Sequence, residues 1–468
     1  MAEKLTEEEL ITRIKGEITD SLGYMGDTIS QQREQAMEYY YGLPFGNEVE
    51  GRSQFVDTTV QDTIEWIKPS LMRVFASGDE MVKFTAHGPE DVAMADQASD
   101  YVNYVFTKDN DRWEILYSWF TDALLSKNGI VKCWWDEYEE ATREEYQGLT
   151  NDEFNYLILP ESIEVMQHSE YTKSGEYSET EEVVHDVVIK RSGYDGKIKV
   201  ENIPPSEFLI SREAKSIQEA RFVCHRVRKT LSELREMYPD KDLSADELGS
   251  GEEDELSFSS ERLERYAFDK SANYWEGWGD PVGNEEGLRT YWLHESFLKT
   301  DFNNDGITEL RKVCTVGSTI LSNEEIDKIP FVSITPIKIP HKFFGLSVAD
   351  LIMDLQLMKS TLMRNLMDNM YNQNYGRFAV LEGQANLDDL LTQRPGGVVR
   401  VKSPNAVMPL NTPALEPYSF QMLEYLDGVR ESRAGVSRMS QGMNENALTS
   451  HTTATAVNAV MTAAQSRV

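Results

Sequence analysis

The chain has 468 residues, with 46 Lys plus Arg against 80 Asp plus Glu, a formal charge of −34 and a pI near 4.6. Such an acid excess argues against an outer surface that grips phosphate, where affinity comes from clustered cations. The length allows roughly two to four domains. The opening MAEKLTEEELITRIKGEITD lacks the apolar core of a signal peptide. No apolar run reaches the roughly eighteen residues of a membrane span.

The first forty residues predict a helix through Leu10, Ile14 and Ile18 toward Met37 and Tyr40, then a loop from Gly42 to Gly51. From Ser53 a second helix carries Val56, Val60, Ile64, Ile67, Leu71 and Phe75 inward, with Pro69 as a kink. Helices follow at Glu90 to Lys108 and Arg112 to Lys127. Gly129 ends the latter, and Ile130 to Trp135 reads as a buried strand. Val183 to Lys190 and Lys197 to Ile203 flank Gly193-Tyr194-Asp195-Gly196, a predicted hairpin. Thr230 to Tyr238 predicts a short capped helix, and residues 240–265 an acidic linker. Tyr291 to Lys299 and Ile307 to Val316 predict a second hairpin. Cys133, Cys224 and Cys314 stand alone in strand-like runs and are expected to be buried free thiols.

A long helix is predicted from Ser347, a good N-cap. Its packing face is Val348, Leu351, Leu355, Met358, Leu362, Leu366 and Met370, widened by Ile352, Met363 and Met367. Asp350, Asp354, Lys359, Arg364 and Asp368 are expected on the wet side. Short strands follow at Phe378 to Leu381, Val398 to Val401 and Val407 to Leu410, around a helix from Asn386 to Leu391. A helix from Ser419 to Arg433, a polar stretch from Ser440 to Thr453 and an Ala-rich helix from Ala454 complete the order. That last helix carries no stop signal, so it is expected to continue past Val468.

Enzyme motifs are missing. No Walker loop, nucleophile elbow, H-E-x-x-H or C-x-x-C occurs, and the seven histidines are dispersed. No catalytic residue, cofactor or firm metal site follows. Asp301, Asn303 and Asp305 with Gly306 match the start of a calcium loop, but Lys312 replaces the bidentate Glu, and Asn-Asp-Gly is itself a favoured turn.

Several segments carry a resemblance through their order. They are Ser53-Gln54-Phe55-Val56, Trp66-Ile67-Lys68-Pro69, Asn202-Ile203-Pro204-Pro205-Ser206-Glu207-Phe208 and Phe344-Gly345-Leu346-Ser347. Asp354-Leu355-Gln356, Arg364-Asn365-Leu366-Met367-Asp368-Asn369, Arg394-Pro395-Gly396-Gly397, Gly435-Val436-Ser437 and Gln441-Gly442 continue them. From about residue 50 onward the chain resembles the portal, or head-to-tail connector, proteins of short-tailed double-stranded DNA bacteriophages.

The resemblance implies a mainly helical α+β subunit of a homo-oligomeric, dodecameric ring. Its parts would be a wing (1–340), a first stem helix (341–375), a clip (376–418), a second stem helix (419–438), a tunnel loop (439–453) and the start of a long helix (454–468) leading to a wing or crown region. Leu351, Leu355, Met358, Leu362 and Leu366 would pack the stem. Arg394, Arg400 and Lys402 would form a clip interface. Asn444, Glu445, Asn446, Thr449, Ser450 and His451 would face the channel. Such a protein is no enzyme. It would be made in the host bacterial cytoplasm and sit at the portal vertex of the virion. It would meet terminase, tail adaptors, capsid and scaffolding proteins, and DNA passing without sequence specificity, with no membrane. The alternatives are a tail adaptor or neck protein, or a calcium-dependent binding module built on Asp301 to Glu309.

Overall fold

The computed structural model describes residues 4–76, 78, 80–160, 163–174, 181–241, 243–244, 261, 286–392, 397–410 and 418–435, an α+β chain. Its first elements are α1 (Glu7–Tyr24), α2 (Gln31–Tyr41), α3 (Thr59–Ala76), α4 (Val92–Tyr104), α5 (Arg112–Ser126), β1 (Gly129–Thr150) and α6 (Asn151–Ile158). Strands β2 (Ile163–Ser174), β3 (Glu181–Ile203), β4 (Phe208–Ile210) and β5 (Phe222–Thr230) precede α7 (Leu231–Met237). After them come β6 (Thr290–Thr300), β7 (Glu309–Val316), β8 (Thr319–Glu325) and β9 (Phe331–Ile334). Last are α8 (Val348–Asn374), β10 (Phe378–Val380), α9 (Leu387–Leu391), β11 (Val407–Pro409) and α10 (Tyr418–Ala434). The chain divides into two compact units: Met1–Ser77 with Leu116–Val131 and Asn202–Val468, and Gly78–Ile115 with Lys132–Glu201.

The first unit holds an antiparallel sheet in the order β4-β5-β6-β7-β8. The predicted hairpin of β6 and β7 runs from Leu293 opposite Val316 to Thr300 opposite Glu309. Leu10, Ile14 and Ile18 of α1 join Phe208, Phe222, Phe297 and Phe331 in one apolar core, because their three-to-four spacing puts them on one helical face. A Thr6–Glu9 capping box starts that helix. A second core gathers α2, α3, α8 and α10 around Val60, Ile64, Ile67, Ile352, Leu355 and Leu426. Helix α5 stops where Lys127 takes a left-handed turn, φ 74°. Gly129 follows under close pressure: a Cβ there would lie 2.3 Å from the Trp119 carbonyl oxygen.

Helix α3 begins at Thr59 rather than Ser53. Residues 53–57 are instead non-helical, with the Ser53 and Asp57 N–H groups bonded to side chains of α8. These bonds satisfy backbone donors without a helical turn.

The second unit pairs its strands in the order β2-β3-β1, with α4 among its helices. Three expectations fail here. Strand β1 continues to Thr150, well past Trp135, and the Gly193–Gly196 hairpin is absent because β3 crosses that stretch as one strand. Gly196 serves close packing instead, since a Cβ there would meet the Trp135 ring at 2.4 Å. Cys133 is exposed on β1, contrary to expectation, whereas Cys224 and Cys314 are buried, and none of the three forms a disulfide. His168 and His185 are 2.9 Å apart through ring nitrogens, and both stack on Phe154 of α6. They serve as packing residues joining α6 to β2 and β3.

Candidate functional site

The long helix α8 is the best-defined feature shared with the sequence reading. Ser347 caps it: its hydroxyl accepts the Asp350 N–H at 3.1 Å, while the Asp350 carboxylate accepts the Ser347 N–H at 2.8 Å. Gly345 just before it permits close passage of the chain, for a Cβ would fall 2.1 Å from the Ile337 carbonyl oxygen. The Leu346 N–H donates to that same oxygen at 2.9 Å.

Which face of α8 is buried differs from the expected one. Leu355 and Leu366 are buried, and Leu351 and Leu362 pack at the edge of the same core. Met358 and Met370, assigned to the packing face, are exposed at 47% and 54%. The inner row is instead Ile352, Gln356, Ser360 and Arg364, at the four-residue spacing of one helical ridge. Arg364, expected in water, is buried.

The reason lies in the backbone those polar groups meet. Gln356 donates to the Tyr39 carbonyl and accepts the Val60 N–H, both at 2.8 Å, capping α3 from outside. Ser360 accepts the Asp57 N–H at 3.0 Å, and Asp368 accepts that of Ser53 at 2.7 Å. Arg364 donates to the Phe55 carbonyl at 2.7 Å and to Asn47 at 2.6 Å, and pairs with Glu48. Burial would raise the Glu48 carboxyl, but the N–H groups of Glu48 and Phe45, together with Arg364, hold it below the usual range. Ser53 to Val56 and Arg364 to Asn369, read separately in the sequence, therefore touch.

A charged knot joins α8 to α3 and α10. Lys359 Nζ lies 3.1 Å from Asp427, 3.5 Å from Asp57 and 3.2 Å from the Thr59 hydroxyl. Burial and the neighbouring Asp57 push the Asp62 carboxyl up, against Arg430 and Lys359. Arg433 of α10 grips Asp354 at 2.7 Å and the Leu351 carbonyl at 2.8 Å. Lys127 holds Asp350 at 2.6 Å.

Between α8 and α10 lies a small β10-β11 ladder, Phe378 opposite Pro409, with α9 capped by Asn386. Val398 to Val401 is not the expected strand; only a single bridge pairs Val401 with Ala385. Among the described residues from 376 to 410, Ala406 alone is buried. Phe378, Leu381, Leu387, Leu391, Val398 and Met408 are exposed, Leu391 at 78%. Arg400 binds Asp389 within the chain, Nε to Oδ2 at 2.6 Å, and the Asp389 carboxyl is held low chiefly by that hydrogen bond. Lys402 donates to the Gly383 carbonyl at 3.2 Å. Arg394 and the predicted loop residues Asn444, Glu445, Asn446, Thr449, Ser450 and His451 lie outside the described residues.

The Asp301 turn is a backbone network. Asp301 accepts the N–H groups of Asp305 (3.0 Å) and Gly306 (2.8 Å), Asp305 accepts that of Ile307, and Asn303 donates to Glu309. Among the described residues no group of three or more His, Cys, Asp or Glu is placed to hold a metal ion.

The family profile described as phage SU10 portal protein matches residues 10–468. The chain belongs to that phage portal family. No curated protein matches it. Membership in that family makes it a phage portal protein. Among the described residues no helix is long and apolar enough to cross a membrane. The sequence reading missed the burial of Gln356, Ser360 and Arg364. Their signal was a polar row at four-residue spacing, in register with nearby backbone that needed partners.

Proposed function

We propose that copies of this chain close into a ring at the capsid vertex, a channel for packaging and ejection of double-stranded DNA and for tail attachment. In this reading α8 and α10 form the stem, residues 376–418 the clip, residues 439–453 a loop facing the DNA, and 1–340 the wing. The dodecameric count, terminase and tail adaptors as clip partners, capsid and scaffolding proteins around the wing, and synthesis in the host cytoplasm belong to the same proposal. The protein's role is structural, not catalytic.

One observation carries the reading. The subdomain between α8 and α10 buries a single alanine among its described residues while exposing Phe378, Leu387, Leu391 and Met408. A segment with so little core of its own gains stability by burying that surface on neighbours, and patches of this kind mark interfaces. The acid balance, −34 overall, suits a channel that repels the DNA backbone and lets it pass.

Mass photometry of the purified chain tests it. The expected result is a closed multimer, lost when Leu391→Glu and Leu387→Glu are combined. A well-folded protein that stays monomeric at micromolar concentration would overturn the ring.

A further inference from the structure

Two histidines of the second unit share a hydrogen bond under a common aromatic ring. Asn151 Oδ1 lies 2.5 Å from His185 Nε2, so that nitrogen carries a hydrogen and donates it. A neutral His185 then offers only the lone pair of Nδ1, and His168 Nε2, 2.9 Å away, donates to it. Phe154 of α6 stacks nearly parallel on both rings, its centroid 4.6 Å from each. His185 is buried, whereas His168 is exposed and open to protons from solvent. Helix α6 buries no residue fully, so this stack and the Asn151 bond carry much of its hold on β2 and β3.

This arrangement accepts one added proton and has no place for a second. The first fits on His168 Nδ1 and leaves the bond between the rings intact. A second, on His185 Nδ1, would set two N–H donors face to face across 2.9 Å with no acceptor between them. The surroundings nevertheless draw protons in. Glu170 stands opposite His185 in the β2–β3 register and shares a strand face with His168. Asp152 and Glu153 lie in the first turn of α6, and Glu145 and Asp186 line the cleft beside His168. Arg191, farther along β3, is paired with Glu144 of β1. We propose that the two histidines form an acid-sensitive latch: the second proton parts the rings and frees α6 from β2 and β3. This inference stands apart from the ring reading, since it uses only the second unit.

Hydrogen exchange of the full chain tests it, read as the protection of peptides spanning α6 and corrected for the intrinsic pH dependence of exchange. Protection is expected to fall at least about tenfold between about pH 7.5 and about pH 5, while the five-stranded sheet keeps its own. His168→Gln leaves a single imidazole, so the clash of two charged rings cannot arise, and α6 protection should stay level over the same range. His87→Gln, at an exposed histidine outside the latch, should behave as wild type. Unchanged protection in wild type, or an equal fall in His168→Gln, would overturn the latch. Should His168→Gln fail to fold, nitrogen NMR spectra of the wild-type histidine rings decide. Loss of α6 protection in step with the second imidazolium would support the latch; two imidazolium rings with α6 still protected would overturn it.

Discussion

Two stretches only a few turns apart are built on opposite terms. The first two-thirds of α8, from Val348 to Leu366, is wrapped by α2, α3 and α10, and its buried polar ridge bonds to backbone groups between Tyr39 and Val60. Among its described residues, the segment from Met370 to Tyr418 carries a run of exposed apolar residues and a two-stranded ladder with scarcely any interior. The same helix serves as scaffold at one end and as mount at the other. Intrachain packing holds the first region. The second is left with surface to bury, and that contrast predicts where substitutions unfold the protein and where they leave it folded but unassembled.

Breaking the scaffold should have the largest effect. Arg364→Met removes the cation that meets the Phe55 carbonyl, Asn47 and Glu48, leaving Glu48 near-buried without its cation. Breaking such a pair costs about 3–5 kcal/mol, read as a lower melting temperature or denaturant midpoint. A smaller loss is expected for Gln356→Ala, which leaves the Val60 N–H and Tyr39 carbonyl unpaired: about 1–3 kcal/mol in the same measurement. An unchanged midpoint in either variant would show that the polar row is incidental to the packing.

Acid should probe the same contact more gently. The Glu48 carboxyl is depressed in the folded state, so its contribution is present above the unfolded value, near 4.3, and fades as pH falls through the folded value. Wild type and Glu48→Gln should therefore differ in melting temperature at neutral pH and converge once the pH has fallen below the depressed folded value. A gap that persists into strong acid would assign the effect to shape rather than charge.

The sequence made the helices legible and their inward faces only partly so. Ser347 announced a helix start, and Thr230 or Ser232 another; Ser347 and Thr230 accept N–H groups of their own first turns, a local event readable from local residues. The burial of Arg364 and Ser360 was not local. It depends on backbone about 300 positions earlier, residues 53–57, running non-helical where apolar spacing had implied a helix. An apolar count turns α8 toward Met358, whereas unsatisfied carbonyl and N–H groups turn it toward Gln356. The long β3 strand eluded the reading for a related reason: Gly193 and Gly196 look like turn residues, yet Gly196 is explained by the Trp135 ring above it. For the candidate site, the subdomain's position was legible and its exposed apolar surface was not, because exposure depends on whether neighbouring elements cover a residue.

The smallest expected effect sharpens the other side of the comparison. Arg400 is largely exposed and its partner Asp389 sits within the same small subdomain, so the pair is screened by solvent and salt. Arg400→Asp should leave the melting temperature where it was. Assembly is the informative reading. If Arg400 acts by holding α9 to the following strand region, the exchanged pair Arg400→Asp with Asp389→Arg restores the bond and with it any lost particle mass. If the guanidinium acts by meeting an acidic group on a neighbouring subunit or on a docking partner, the exchange restores the local bond yet presents the cation from a different backbone position, and assembly or adaptor docking stays impaired. Mass photometry of wild type, the single variant and the exchange separates these cases. Full rescue by the exchange would remove Arg400 from the proposed clip interface and leave that interface to the apolar surface around Leu387 and Leu391.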